Sequence, residues 1–423
     1  MRPLHLVTLA LVGGLLGVIA FPALGQQQSD QPLPPRGNVI NVDSPERSLF
    51  KMAVPNLRGD NNLGAQGASV LQNDFRLSSL FQVLDGRSFV ADLNAEGLNI
   101  VPTAWSTVGA QGVIKGEIHG NSVEMRYYEV ARGNTPLLTR TYTGLPGELR
   151  SRMHDFANEV VRLLTGEAGS FGTRLTFARR VGPGRKDVYA SDFDGNGVGR
   201  ISSGRGVAML PTFGPGGIWY SVMSNSGMFI TRSGGEERPL ITGDGLNMGV
   251  TICGSRAIFS STRDGNSEIY SANLDGTDVR RLTRNPGIDV SPSCGPGGQI
   301  AFVSDRHGGP QIFVMDGNGG GVRRVTFRGS HNQTPAFCPN ASKPLIAFTG
   351  RDSGMDIFTV NIQTQEYVRL TQGQGINKDP AFSPDCRMVA FASSRGGIFI
   401  SNPDGLNQNR VVEGTAETIR WSH

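Results

Sequence analysis

SPSCGPGGQIAFVSDRHGGPQIFVMDGNGGGVRRVTF, Ser291 to Phe327, is a unit that this chain repeats. Its grammar returns in PAFSPDCRMVAFASSRGGIFISNPDG, Pro380 to Gly405. Each copy runs from a Pro-Ala-Phe-like triplet (Pro335 to Phe337, Pro380 to Phe382) through a turn to an apolar strand, Ile300 to Phe302. A Ser-x-Arg element (Ser304 to Arg306), a second strand (Gln311 to Met315), a Gly-containing hairpin and a closing RRVT (Arg323 to Thr326) follow. The strand aromatic recurs at Phe177, Tyr220, Phe259, Phe302, Phe348 and Phe391. A period near forty residues with several strands per repeat is the signature of β-propeller blades. Asp-Gly pairs begin at Asp194, Asp275, Asp316 and Asp404, where glycine supplies the positive φ that a tight hairpin needs.

Counting the copies predicts how the ring closes. Outer three-strand sets begin near Thr176, Ile218, Ala257, Ile300, Ile346 and Val389, and inner strands occur near Val207, Met248, Asp289, Thr334 and Asp379. The last inner strand, Thr418 to His423, has no outer set after it, and the set at Thr176 has no inner strand before it. The two halves complete one blade, which gives six blades with no free sheet edge at the seam.

Upstream, Ser48 to Gly166 reads as α/β. Phe50 to Pro55 is a strand candidate; Val70, Leu71, Phe75, Leu77, Leu80 and Phe81 recur at helical spacing. Three strands are expected over Gly112–Gly120, Ser122–Ala131 and Pro136–Gly144, then a helix carrying Leu149, Met153, Phe156, Val160, Val161 and Leu164 and ended by Gly166. The organisation is therefore mixed: residues 48–168 form an α/β domain and 169–423 an all-β six-bladed propeller closed by the C-terminal strand.

The N-terminus has the pattern of an export signal over residues 1–25: Arg2, an apolar run Leu6–Phe21 and small residues at Ala23 and Gly25. That run is shorter than the ~20 residues of a membrane span, so a soluble, exported protein without membrane insertion is expected. Gln26 to Arg36 is rich in Gln and Pro and reads as a mobile linker, followed by the strand-like peptide Asn38–Glu46. Residues 26–47 thus form a tether. Net charge is only +4, with no Lys/Arg block, which argues against nucleic-acid binding.

The four cysteines, Cys253, Cys294, Cys338 and Cys386, fall at equivalent places in the repeat. In an oxidising compartment they fit disulfides Cys253–Cys294 and Cys338–Cys386, with buried free thiols the other reading. Asp192, Asp194 and Asn196 before Gly197 imitate the start of a calcium loop, but Ser203 stands where the bidentate Glu belongs, so a hairpin turn is expected. No nucleophile elbow, H-E-x-x-H or Walker loop occurs. No cofactor, metal site or catalytic residue is expected.

Leader, short segment, α/β domain and blades in this order resemble the TolB family of periplasmic Tol-Pal propeller proteins. The resemblance rests on RLLTGEAGSFGTRLTF (Arg162–Phe177), PTAWSTVGAQGVIKGEI (Pro102–Ile118) and GSHNQTPAFCP (Gly329–Pro339). It implies a monomeric periplasmic adaptor rather than an enzyme, supporting outer-membrane integrity and constriction during cell division. The implied partners are the peptidoglycan-associated lipoprotein Pal, at the propeller mouth, and the inner-membrane protein TolA, at the N-terminal segment. A propeller enzyme or a glycan-binding module acting on peptidoglycan is the alternative. On this comparison Val39, Ile40, Asn41, Val42, Asp43 and Ser44 match the TolA-binding segment, although here they follow a linker. Mouth loops offer Asn247, Asp289, His331, Asn332, Gln333, Asn377 and Asp379. The Ser-x-Arg loops add Arg263, Arg306, Arg351 and Arg395, which either pair with a partner or pin neighbouring blades together.

Overall fold

The computed structural model describes residues 49–423, except 205, 226, 235–237 and 353, all within the unit Arg36–His423. The expected leader, the linker and the segment Val39–Ser44 lie outside the described residues.

In the first domain β1 (Phe50–Ala53), β2 (Phe81–Val83), β3 (Gly112–His119), β4 (Ser122–Glu129) and β5 (Leu138–Thr143) form one sheet in the order β2-β1-β3-β4-β5. β1 runs parallel to both neighbours, and β3, β4 and β5 form an antiparallel meander. Two long helices, α1 (Asn61–Ser78) and α4 (Leu149–Thr165), pack on it; α2 (Leu93–Glu96) and α3 (Pro102–Thr107) are short. Asp60 caps α1, its Oδ1 accepting from the amides of Asn62 and Leu63 at 2.9 Å, which supplies partners for otherwise orphaned helix donors. Leu71 and Phe75 of α1 meet Met153, Phe156 and Val160 of α4 in one buried cluster. The helical spacing overran the element: Ser79 takes a left-handed φ of 54°, so Leu80 lies in the turn and Phe81 begins β2. Within Pro102–Ile118, the Trp105 indole donates to Glu96, whose carboxylate also pairs with buried Lys115 at 2.8 Å.

The remainder is a ring of six blades. We number them from the one holding Arg174–Gly182; it is completed by Glu417–Trp421, which pairs antiparallel with Arg174–Gly182 as its innermost strand. The inner strands of blades 2 to 6 are Val207–Gly214, Asn247–Cys253, Asp289–Cys294, His331–Phe337 and Asn377–Phe382. All six inner strands carry a bulge at the same place. The bulged residue has positive φ in each: Leu210, Gly249, Ser291, Thr334, Asp379 and Thr418. Only one of the six is glycine, so the strain is tolerated where neighbours hold the chain. Hydroxyls of the preceding blade do so in part: Ser221 accepts from the Gly249 amide at 3.1 Å and Thr349 from the Asp379 amide at 3.0 Å. At the seam the Asp379 carboxylate takes that role, accepting from Thr418 N at 2.8 Å.

Cys253 is bonded to Cys294 and Cys338 to Cys386, so covalent links join blade 3 to blade 4 and blade 5 to blade 6. The Asp192–Gly197 turn contacts the first domain. Its Asp194 pairs with Arg150 of α4 and accepts from Asn73 of α1 at 3.1 Å, and Asp192 accepts from Arg150 at 3.2 Å. This turn docks the α/β domain, a role the calcium-like spacing did not suggest.

Candidate docking face of the propeller

Inner and second strands are antiparallel, so the start of one lies beside the end of the other. Asn247 faces Ser261, Asp289 faces Ser304, Asn332 faces Gly350 and Asn377 faces Ser393. The mouth loops and the Ser-x-Arg loops therefore share one end of the ring.

Most of the expected polar contacts at this end are committed to the fold. Arg306 donates to Asp289 Oδ2 at 2.7 Å and to Ser304 Oγ at 2.8 Å, with its guanidinium over the rings of Phe302 and Phe313. Arg263 repeats this with Asn247 Oδ1, Ser261, Phe259 and Tyr270. Arg395 does so with Ser393, Gln408, Phe391 and Phe399. Arg306 and Arg395 pin within their own blade, and Arg263 in addition donates to Thr242 O at the end of blade 2 at 3.0 Å. Burial pushes the Asp289 carboxyl above the usual range, against the hydrogen bonds of Ser304 and Arg306.

Asparagines also pin blade to blade. Asn332 Nδ2 donates to Gln311 Oε1 of blade 4 at 2.8 Å, and Asn377 Nδ2 to Asp356 Oδ1 of blade 5 at 3.4 Å. The closing Thr of each repeat joins the same networks: Thr326 donates to Gln311 and Thr371 to Asp356. Asn247, Asp289, Asn332 and Asn377 are all at most 2 % exposed. His331 and Gln333 remain accessible in part and bond each other, Nε2 to Oε1, at 3.1 Å. Asp379 sits at the seam, as above.

What faces solvent is the residue one step earlier. Leu246, Ile288 and Ile376 are 38 %, 48 % and 52 % exposed, and His331 holds the equivalent position in blade 5. Phe327, in the loop before blade 5, is 62 % exposed. Large apolar side chains thus lie exposed at the mouths of blades 3, 4 and 6. Strand alternation carried the signal, because the neighbour of a buried strand residue points the other way.

Arg351 departs from its counterparts. It directly follows Gly350, the residue paired with Asn332, whereas Arg306 stands two places after Ser304. Asp352 occupies the pin position, and Arg351 is exposed. A cavity of about 310 Å³ opens at this point of blade 5.

The fold and face define a class: a six-bladed β-propeller carrying an α/β domain, with a partly apolar mouth. Residues 38–135 match the family model of the TolB amino-terminal domain and residues 161–347 that of the TolB beta propeller domain. The chain is 35 % identical over 310 residues to the Tol-Pal system protein TolB of Anaeromyxobacter dehalogenans, covering 68 % of each chain. It is 31 % identical over 214 residues to a TolB homolog of Chlorobium luteolum, covering 48 % of each. The crystal structure of TolB from Acinetobacter baumannii superposes with a TM-score of 0.73 at 25 % identity, over 88 % of this chain and 96 % of that one. The chain belongs to the TolB family.

Proposed function

We propose that this protein is a periplasmic adaptor of the Tol-Pal system, binding Pal at the propeller mouth and TolA through Val39–Ser44. The observation that carries the reading is the row Leu246, Ile288, His331 and Ile376, accessible above a polar framework whose bonds are largely internal. Apolar anchors ringed by fixed polar groups favour a protein partner. Gln333 and Asp379 belong to the same mouth, while Asn247, Asp289, Asn332 and Asn377 hold it in shape. Export removes residues 1–25, and 26–47 act as the tether to TolA. Among the described residues no helix is long and apolar enough to cross a membrane. By joining the two envelope layers the protein would support outer-membrane integrity and constriction during division.

The test is calorimetric titration of the mature protein with the soluble domains of Pal and TolA. Ile288→Asp and Ile376→Asp should each weaken Pal binding by about tenfold or more, the ~1.4 kcal/mol or more expected of an interface anchor, with unfolding unchanged. Deleting Val39–Ser44 should abolish TolA binding and spare Pal. Pal affinity indifferent to both Asp variants would displace the docking surface. Tight binding or turnover of a peptidoglycan fragment without Pal capture would favour the glycan-binding or enzymatic alternative.

A further inference from the structure

Blade 5 breaks a pattern that blades 3, 4 and 6 keep. In those blades the order is Thr262-Arg263, Asp305-Arg306 and Ser394-Arg395; in blade 5 it is Arg351-Asp352. Gly350 also replaces the serine that anchors the pin, and a Cβ there would meet the Phe358 ring at 2.8 Å. Phe348 and Phe358 still stack as the paired rings of the other blades do, 5.7 Å apart, but no arginine of the Ser-x-Arg loop lies over them; Arg369 covers the Phe358 ring instead, at 5.5 Å. The cavity of about 310 Å³ lies at that vacated position, with Phe348, Phe358 and Tyr367 among its walls.

Arg328, Arg351 and Arg369 line it as well. Arg369 is neutralised by Asp356 at 2.6 Å and Asp352 at 3.4 Å. Arg328 lies over the Tyr367 ring at 5.1 Å, and among the described residues neither Arg328 nor Arg351 has a carboxylate partner. An exogenous guanidinium could stack on the Phe348 ring as the pins do elsewhere. Asp352 lines the cavity too, and three guanidiniums against the carboxylates of Asp352 and Asp356 leave a net positive charge that opposes such a cation and outweighs a partly solvated cation–π contact. A carboxylate has the opposite balance: its stem lies on aromatic carbon and its oxygens meet the two guanidiniums.

We propose that the blade-5 cavity is a carboxylate-docking subsite of the mouth, taking an acidic side chain of the protein partner between Arg328 and Arg351. The inverted Arg351-Asp352 order does two things at once: it removes the Ser-x-Arg pin from the aromatic floor and turns a cation to the rim. The proposal rests on the mouth being the Pal-binding face, and it specifies the chemistry of that face.

Two measurements separate the two ideas. The first titrates the mature protein with soluble Pal. Arg328→Ala and Arg351→Ala should each weaken binding about fivefold to tenfold, as charge-assisted contacts do, with unchanged thermal unfolding. The triple change Gly350→Ser, Arg351→Asp, Asp352→Arg restores the pattern of blade 4 and should fill the cavity and weaken binding at least as much. The second uses ligand-observed NMR with acetyl-Phe-Glu-amide, acetyl-Phe-Gln-amide and acetyl-Phe-Arg-amide. Only the Glu probe should bind the wild type, and none should bind the triple variant. If Pal fails to bind but the Glu probe behaves so, the partner assignment falls and the subsite stands. If Pal binding survives all three variants while Ile288→Asp abolishes it, or if the Arg probe binds best, the subsite is refuted and the docking face remains.

Discussion

Arg306 and Arg351 show why residue type alone misleads at this face. Both follow an apolar strand within a similar string of letters, yet one is a half-buried pin and the other a rim cation. The difference is one step of register, and a step of register reverses which face of a strand a side chain occupies. Asn247, Asp289 and Asn377 were legible as mouth residues from their loops, while the accessible side chains one step earlier were signalled only by strand alternation. Arg306→Ala should leave Asp289 buried without its counter-ion and cost about 3–5 kcal/mol, read as a lowered urea midpoint; Arg351→Ala should leave that midpoint unmoved. A second residue-scale test concerns Asp74, which faces His154 at 2.7 Å, with Arg150 and Asp194 nearby. Burial raises its carboxyl from 3.8 to about 6, against the hydrogen bond and charge of His154. The folded protein thus holds this proton more tightly than the unfolded chain, so this group's contribution to stability grows as pH falls through 6 towards 3.8 and is lost as pH rises. Asp74→Asn should flatten that part of the pH dependence, checked by urea midpoints at about pH 4.5 and 7.5.

At the scale of elements, the hairpins were expected to need glycine for backbone freedom, and packing adds a second demand. Gly195, Gly276 and Gly405 do have positive φ, but each also lies against a neighbouring blade. A Cβ would come within 1.7 Å of Val411 O, 1.8 Å of Leu240 O and 2.4 Å of Leu370 O, respectively. Blade 4 shifts the device: Gly317 is not in the left-handed region, and Gly319, with φ 88°, meets Leu282 O instead. The Asp-Gly pair at Asp316 therefore marked the right loop and the wrong glycine, because the turn is fixed by the Gly319 amide bonding back to Asp316 O. Gly195→Ala combines an unfavourable φ with a backbone clash and should destabilise by ~2–4 kcal/mol, whereas Gly317→Ala should cost under ~1 kcal/mol. Differential scanning calorimetry of the pair tests the distinction. The propeller strands were readable because each repeats its pattern of apolar residues; the end of α1 was not, since the apolar spacing continues through Leu80 and Phe81 while the backbone turns at Ser79.

The whole molecule is held by a core that ignores the domain boundary. Phe75 of α1 meets Phe171 edge-on at 6.4 Å, Phe171 lies 5.8 Å from Phe193 of blade 1, and Phe193 stacks on Trp421 at 6.4 Å. Helices of the first domain and strands of blades 1 and 6 belong to the same buried cluster. The closing strand is thus also the far wall of the α/β domain's core. Trp421 donates its indole N–H to Thr173 Oγ1 at 2.7 Å, and the Ser422 amide donates to Arg174 O at 2.9 Å. Sequence could reveal the ring closure, because the count of inner and outer strands was uneven at each end. It could not reveal this shared core, since Phe171 and Phe193 lie in loops without periodicity. The consequence is that domain and ring should not melt separately. Calorimetry of the mature protein should show one main transition in which the calorimetric and van't Hoff enthalpies agree. Removing Thr418–His423 deletes an inner strand, the Asp379 seam bond and the end of the aromatic chain together. It should lower the melting temperature and split the transition, with the first domain and blades 1 and 6 loosening first. The disulfides Cys253–Cys294 and Cys338–Cys386 join blade 3 to blade 4 and blade 5 to blade 6, so blades 3 to 5 should keep more protection against hydrogen exchange in the truncated protein than blade 1. A truncated chain that still melts in one step at the wild-type temperature would show that the ring is stable open, and that the final strand contributes no cooperativity between ring and domain.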